Sequence, residues 1–182
     1  NNKGEKMGKR NTLLIIDDLE MNRVILGNLF KKKYETVEAC DGDEALEYMR
    51  ENSSKIVTIL LDLVMSKVNG IEVLKIIRRE KIVEDVPIFI ITADNSEEIM
   101  YEAYELGVKD VLEKPFVPYF LKKRIESVIE LYKVKEAQKK LLKDLNQEFS
   151  NILKLAEENK EIESSIKNIL KEFNKFEIIQ EE

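Results

Sequence analysis

The sequence predicts an α/β chain: a doubly wound, five-stranded parallel sheet followed by a long α-helical extension. Three observations carry that prediction. Five short apolar runs alternate with amphipathic stretches up to about residue 118. Four of those runs stop on polar or charged residues. After Gly107 there is no further glycine and after Pro118 no further proline, so nothing in 119–182 obliges a break.

The elements follow in order. "TLLII" (12–16) reads as a strand that stops at Asp17-Asp18. Residues 20–32 carry Met21, Val24, Ile25, Leu26 and Leu29 at helical spacing. "YETVEA" (34–39) is a second, more polar strand, expected at an edge. Asp41-Gly42 turns the chain into a short helix, 43–52. "IVTILL" (56–61) is the third strand and ends on Asp62. Asn69-Gly70 is a turn before a helix over 71–80. "PIFIIT" (87–92) is the fourth strand. A helix over 96–107 opens on a Ser/Glu cap pattern and closes on Gly107. "VKDVLE" (108–113) is the fifth strand. The most continuous apolar runs, 13–16, 59–61 and 88–91, should be central, because a strand covered on both faces cannot alternate.

Composition narrows the function classes. The chain of 182 residues is 43% hydrophobic, enough for a core, and its net charge of −6 argues against a nucleic-acid surface. One cysteine, Cys40, excludes an internal disulfide framework and suits a reducing compartment. No apolar run reaches membrane-spanning length, and "NNKGEKMGKR" is followed by no apolar h-region, so the expectation is a soluble, cytoplasmic protein with no membrane partner. The absence of histidine removes His-based catalysis, His metal sites and phosphohistidine chemistry from this chain.

The polar strand ends are the candidate site. In a parallel sheet they share one edge, so Asp17, Asp18, Asp62, Thr92 and Lys114 converge from distant parts of the sequence. Each alone is ordinary: an Asp pair is most often a solvated turn, a terminal Thr structural, a Lys-Pro pair a loop. Together, each at the end of its own strand, they are not. Three carboxylates at one edge repel and raise one another's pKa unless a cation neutralises them. Mg2+, a hard oxygen-ligand cation, suits such a cluster. A lysine and a hydroxyl beside it complete a pocket for a tetrahedral anion.

On "IIDD" (15–18), "EACDGDEAL" (38–46), "LLDLVMSKVNG" (60–70), "PIFIITA" (87–93) and "KPF" (114–116), residues 11–132 resemble the receiver domain of two-component response regulators, a flavodoxin-like fold. The spacings agree with it: 44 residues from Asp18 to Asp62, 30 from Asp62 to Thr92, 22 from Thr92 to Lys114. The resemblance implies a signalling switch of a phosphorelay rather than an enzyme acting on other substrates. It implies that Asp62 is the phosphoacceptor, charged by a sensor histidine kinase or histidine phosphotransfer protein. It implies that Asp17, Asp18, Asp62 and the Val64 carbonyl bind Mg2+, with Asp17 acting partly through water, and that Thr92 and Lys114 bind the phosphoryl oxygens. Two positions depart from the pattern. Ser66 stands where receivers usually carry proline, and Val111 where the fifth strand usually carries an aromatic residue. Two other readings are a phosphorelay shuttle without its own output and an aspartate-nucleophile phosphohydrolase. The second usually needs an Asp two residues after the nucleophile, where this chain has Val64.

Residues 1–10 read as a tail outside the fold and 133–182 as a helical segment for dimerisation and signal transmission. Leu142, Leu145, Phe149, Ile152, Ala156, Ile166, Leu170 and Phe173 fit one heptad frame, interrupted by Asn159 and Glu163. Leu141, Leu155, Ile162, Ile169 and Phe176 form a second row, wider than a two-stranded coil needs. A helix of about 60 residues would be about 90 Å long, so the stripe folds back on itself, pairs with a second copy, or both. The segment lacks the glycines and histidines of cyclase, phosphodiesterase and kinase cores and shows no helix-turn-helix signal, so no DNA binding is expected and any output domain lies elsewhere.

Overall fold

The computed structural model of the protein describes residues 10–66, 68–94, 96–155 and 164–171. Five strands alternate with helices: β1 (Thr12–Ile16), α1 (Glu20–Phe30), β2 (Glu35–Ala39), α2 (Gly42–Asn52), β3 (Ile56–Leu61), α3 (Gly70–Glu80), β4 (Ile88–Thr92), α4 (Glu97–Glu105), β5 (Asp110–Glu113) and α5 (Pro118–Leu155). All pairings are parallel and the strand order is β2-β1-β3-β4-β5. The continuous apolar runs are the three inner strands, and the polar 35–39 run is an edge, as expected for strands that face helices on both sides.

Successive side chains of a strand point to opposite faces, so each inner strand feeds two cores. Leu14, Ile16, Ile59, Leu61 and Ile90 face α2, α3 and α4. Leu13, Ile15, Leu60, Phe89 and Ile91 face α1 and the start of α5, where Leu121, Ile125 and Ile129 repeat every four residues. The chain divides after Tyr132 into two compact units. No helix among the described residues is long and apolar enough to cross a membrane.

Local chemistry sets the helix starts. Asp41 caps α2 by accepting the Glu44 N–H (3.0 Å), and the Glu44 carboxylate accepts the Cys40 N–H (2.7 Å). Asn69 caps α3 by accepting the Ile71 N–H (2.9 Å). Ser96 occupies the N-cap of α4, but its side chain makes no cap bond, contrary to the pattern in the sequence. The loop turns earlier: Thr92 Oγ1 accepts the Asp94 N–H, and Asp94 Oδ1 accepts the Ser96 N–H. Gly107 ends α4 with φ +81°, a conformation that favours glycine.

Helix α1 buries Leu26, Gly27 and Phe30, while Met21, Val24 and Ile25 are exposed. Two apolar stripes obey helical spacing there, and the sequence alone does not say which faces the sheet. In the second unit, residues 164–171 are helical. Leu142, Leu145, Phe149, Ile166 and Leu170 are half-buried, whereas Leu141, Ile152 and Ile169 are exposed. Ala156, Asn159, Ile162, Glu163, Phe173 and Phe176, and with them the expected interruption of the heptad frame, lie outside the described residues.

Two glycines give opposite expectations. A Cβ on Gly70 would collide with the Asp62 carbonyl oxygen and stand 2.8 Å from Leu63 Cα, both backbone atoms that cannot yield. A Cβ on Gly27 would meet Glu38 Oε1 at 3.4 Å, an ordinary contact. Urea unfolding should show Gly70→Ala destabilised by about 1–3 kcal/mol. Gly27→Ala should be stabilised by about 0.5–1 kcal/mol, since alanine is the better helix former.

Candidate functional site at the carboxyl edge of the sheet

Parallel pairing brings the strand ends together, and the ladder fixes them there. Ile16 pairs with Leu61, so Asp17 and Asp62 are the next residues along adjacent strands. The Asp62 N–H donates to the Ile16 carbonyl (2.8 Å), and the Asp17 N–H to the Ala39 carbonyl (3.3 Å). The Lys114 N–H donates to the Thr92 carbonyl (2.8 Å), which holds the end of β5 beside the end of β4.

Two acids meet one base. Lys114 Nζ lies 2.7 Å from Asp17 Oδ2 and 2.7 Å from Asp62 Oδ2. Asp17 is 2% exposed and Asp62 7%. Burial pushes the Asp62 carboxyl above its ordinary pKa, and this outweighs the opposing pull of Lys114 and of the Val64 N–H, which donates to Oδ1 at 3.1 Å. Burial pulls the Lys114 ammonium down, but its bonds to Asp17 and Asp62 outweigh that and leave it raised. Thr92 is fully buried at the end of β4, with its hydroxyl turned to the Asp94 N–H (3.2 Å). Val64, two residues past Asp62, is exposed.

Asp18 behaves differently. Its Oδ2 accepts the Ser66 N–H at 2.9 Å, across from β1 to the β3–α3 loop. Among the described residues no three acidic side chains gather closely enough to hold one ion. The donors still fit a hard divalent cation by type: carboxylate oxygens and a backbone carbonyl, at an edge where the two buried acids already share a positive charge. The arrangement in which Lys114 supplies that charge leaves Asp18 facing the loop.

Two residues of the site escaped the sequence reading. Asn22 Nδ2 donates to Asp17 Oδ1 (3.1 Å) and Oδ2 (2.9 Å), and the Leu19 N–H adds a third bond to Oδ1 (2.9 Å). Arg23 Nη1 donates to the Asp17 carbonyl (2.7 Å) while its Nε reaches Glu38 Oε2 (3.3 Å). The only sequence signal is their place one turn into α1 from the Asp pair. Chemically, a carboxylate beside a fixed ammonium and a hydroxyl is equipped to attack an anionic, electron-poor centre such as phosphorus.

The raised pKa of Asp62 fixes a sign for stability. Its ionised form is disfavoured by folding, so the penalty is present above the folded-state pKa. It vanishes below the ordinary value of 3.8, where the folded and unfolded chains both carry the proton. Asp62→Asn should therefore melt at a higher temperature than the native chain at pH 7. The difference should shrink as pH falls through the raised pKa. Thermal melts from pH 7 to pH 3 check this.

The family model of the response regulator receiver domain matches residues 13–126. A chemotaxis protein CheY homolog of Campylobacter jejuni is 34% identical over 119 residues, 64% of this chain and 91% of that one. The alkaline phosphatase synthesis transcriptional regulatory protein PhoP of Bacillus subtilis is 34% identical over 118 residues, 64% of this chain but 48% of its own. Among solved structures, the chemotaxis protein CheY4 of Vibrio cholerae superposes with a TM-score of 0.60 at 28% identity, covering 66% of this chain and 99% of that one. The strand order, the paired acids and the lysine at the sheet edge thus sit in the part of the chain that these proteins share, and the chain belongs to the response regulator receiver domains of two-component signalling.

Proposed function

We propose that the chain is a phosphorylation-controlled switch in which Asp62 accepts a phosphoryl group. The observation that carries this reading is the shared ammonium: Lys114 Nζ at 2.7 Å from both Asp17 and Asp62, at the joint end of four parallel strands. In the proposed transfer, an Asp62 carboxylate oxygen attacks the phosphorus of a partner's phosphohistidine. The P–N bond breaks, its electron pair stays on the imidazole nitrogen, and Asp62 becomes an acyl phosphate. Lys114 and Thr92 bind phosphoryl oxygens; Lys114 exchanges one carboxylate partner for the incoming anion. Thr92 does so by releasing the Asp94 N–H. Asp17, Asp18, Asp62 and the Val64 carbonyl would hold Mg2+, which supplies neutralisation of the equatorial oxygens. The donor of the phosphoryl group is a sensor histidine kinase or histidine phosphotransfer protein. Exposed Leu19, Met21, Val24 and Ile25 on and before α1, with Val117 and Phe120 at the start of α5, provide an apolar surface for it.

The domain reading is part of the proposal: a receiver over 11–132 and a transmission segment over 133–182, through which the chain pairs with a second copy. Exposed Val134, Leu141 and Ile152 on α5 and Ile169 in the later helical stretch support it, because exposed apolar side chains in such number call for a partner. Val111, half-buried against the core, replaces the usual aromatic side chain, so the signal leaves β4 without a ring to carry it.

Incubation of the full chain with a small phosphodonor and Mg2+ should add one acid-labile phosphoryl group by mass, and Asp62→Asn should add none. Labelling of Asp62→Asn at the native level would assign the acceptor elsewhere. Sedimentation equilibrium should show a dimer for the full chain and a monomer for Ile152→Asp, which places a charge in the apolar stripe. A full chain that stays monomeric at high micromolar concentration would rule the pairing out and favour a self-contained hairpin.

A further inference from the structure

The third acid of the site has a partner that the reading above does not use. Asp18 stands next to Asp17 at the end of β1, yet its Oδ2 accepts the backbone N–H of Ser66 at 2.9 Å. Ser66 lies four residues beyond Asp62 in the β3–α3 loop. Asp17 and Asp62 meanwhile share Lys114, and among the described residues no three acids converge. Among the described residues a single donor directs the Asp18 carboxylate toward the loop, and that donor is a main-chain N–H. Its presence depends on the residue type at 66, because a proline there would have none.

We infer that the Ser66 N–H is a latch on Asp18, which a divalent cation must displace before Asp18 can join Asp17 and Asp62. The inference rests on the reading of these three acids as a cation site. The Ser66 N–H is a positioning group: it touches a ligand, not the reacting atoms. Two consequences follow from the geometry. The latch lowers cation affinity by the free energy of one hydrogen bond to a carboxylate at the surface. Cation loading also frees the β3–α3 loop, the segment directly after the acceptor, so that metal occupancy is communicated to the backbone around Asp62 before any phosphoryl group arrives. The hydroxyl of Ser66 has no part in this, and only loss of the N–H should matter.

The test is calorimetric titration of Mg2+ into the full chain, which measures binding without phosphoryl transfer. Ser66→Pro should bind about three- to tenfold more tightly than the native chain, the equivalent of one ordinary hydrogen bond. Ser66→Ala, which keeps the N–H, should bind as the native chain does. A second readout needs no variant. In amide hydrogen exchange followed by NMR, the Ser66 amide should be protected without Mg2+ and should exchange faster with it. Equal or weaker binding by Ser66→Pro, or equal protection of the Ser66 amide in both states, overturns the latch. If Ser66→Pro fails to fold, the exchange measurement decides alone. A native chain that binds no Mg2+ overturns the cation site itself. Binding that ignores Ser66 overturns only the latch.

Discussion

Asp17 and Asp62 are buried side by side, and the Lys114 ammonium between them is what makes that tolerable. Removing the ammonium would leave two buried carboxylates uncompensated, a loss of about 3–5 kcal/mol in buried pairs. The strand order serves this contact. β1 and β3 must be neighbours to set the acids adjacent, and β5 must end beside β4 for the lysine to reach back across the edge. Burial nevertheless leaves Asp62 with a raised pKa, so the site holds a carboxylate in a setting that disfavours its charge. A residue held that way gains when its charge is spread or neutralised.

The loops around the edge are built to hold these groups rather than to cover them. Gly70 lets α3 start against the Asp62 carbonyl, and Asn69 caps that start. Asn22 and the Leu19 N–H fix both oxygens of Asp17, and Arg23 ties the same residue's carbonyl to β2 through Glu38. Asp17 is thereby over-determined, whereas among the described residues Asp18 has one hydrogen bond, to a loop. The two neighbouring acids thus differ in how many donors hold their carboxylates.

Away from the site, the two cores are unequal in how they are closed. The α2–α4 side is bounded by three short helices with caps at Asp41 and Asn69 and a glycine exit at Gly107. The other side is bounded by α1 and the first turns of α5, pinned by Lys122 to the Leu29 carbonyl (2.8 Å) and by Lys33 to Glu130 (3.3 Å). The half-exposed ion pairs there contribute little stability on their own. The buried Leu121, Ile125 and Ile129 are the apolar contribution of α5 to that packing.

Residue order was enough to place the strands, their order of burial and the convergence of Asp17, Asp62, Thr92 and Lys114 on one edge. Those are consequences of apolar periodicity and of parallel strands, both local or topological properties. β3 falls at 56–61 as read, and the polar 35–39 run is an edge because its side chains have no second core to enter. Contacts between side chains or backbone groups that residue spacing does not encode came from the folded chain. The stripe of α1 that faces the sheet depends on how the helix is rolled. The clamp of Asn22 on Asp17 depends on where the first turn of α1 passes. The bond from Ser66 to Asp18 joins residues 48 apart through a main-chain N–H, which every residue except proline offers. A pattern of residue types cannot single out such a donor; only the path of the β3–α3 loop brings it to the carboxylate.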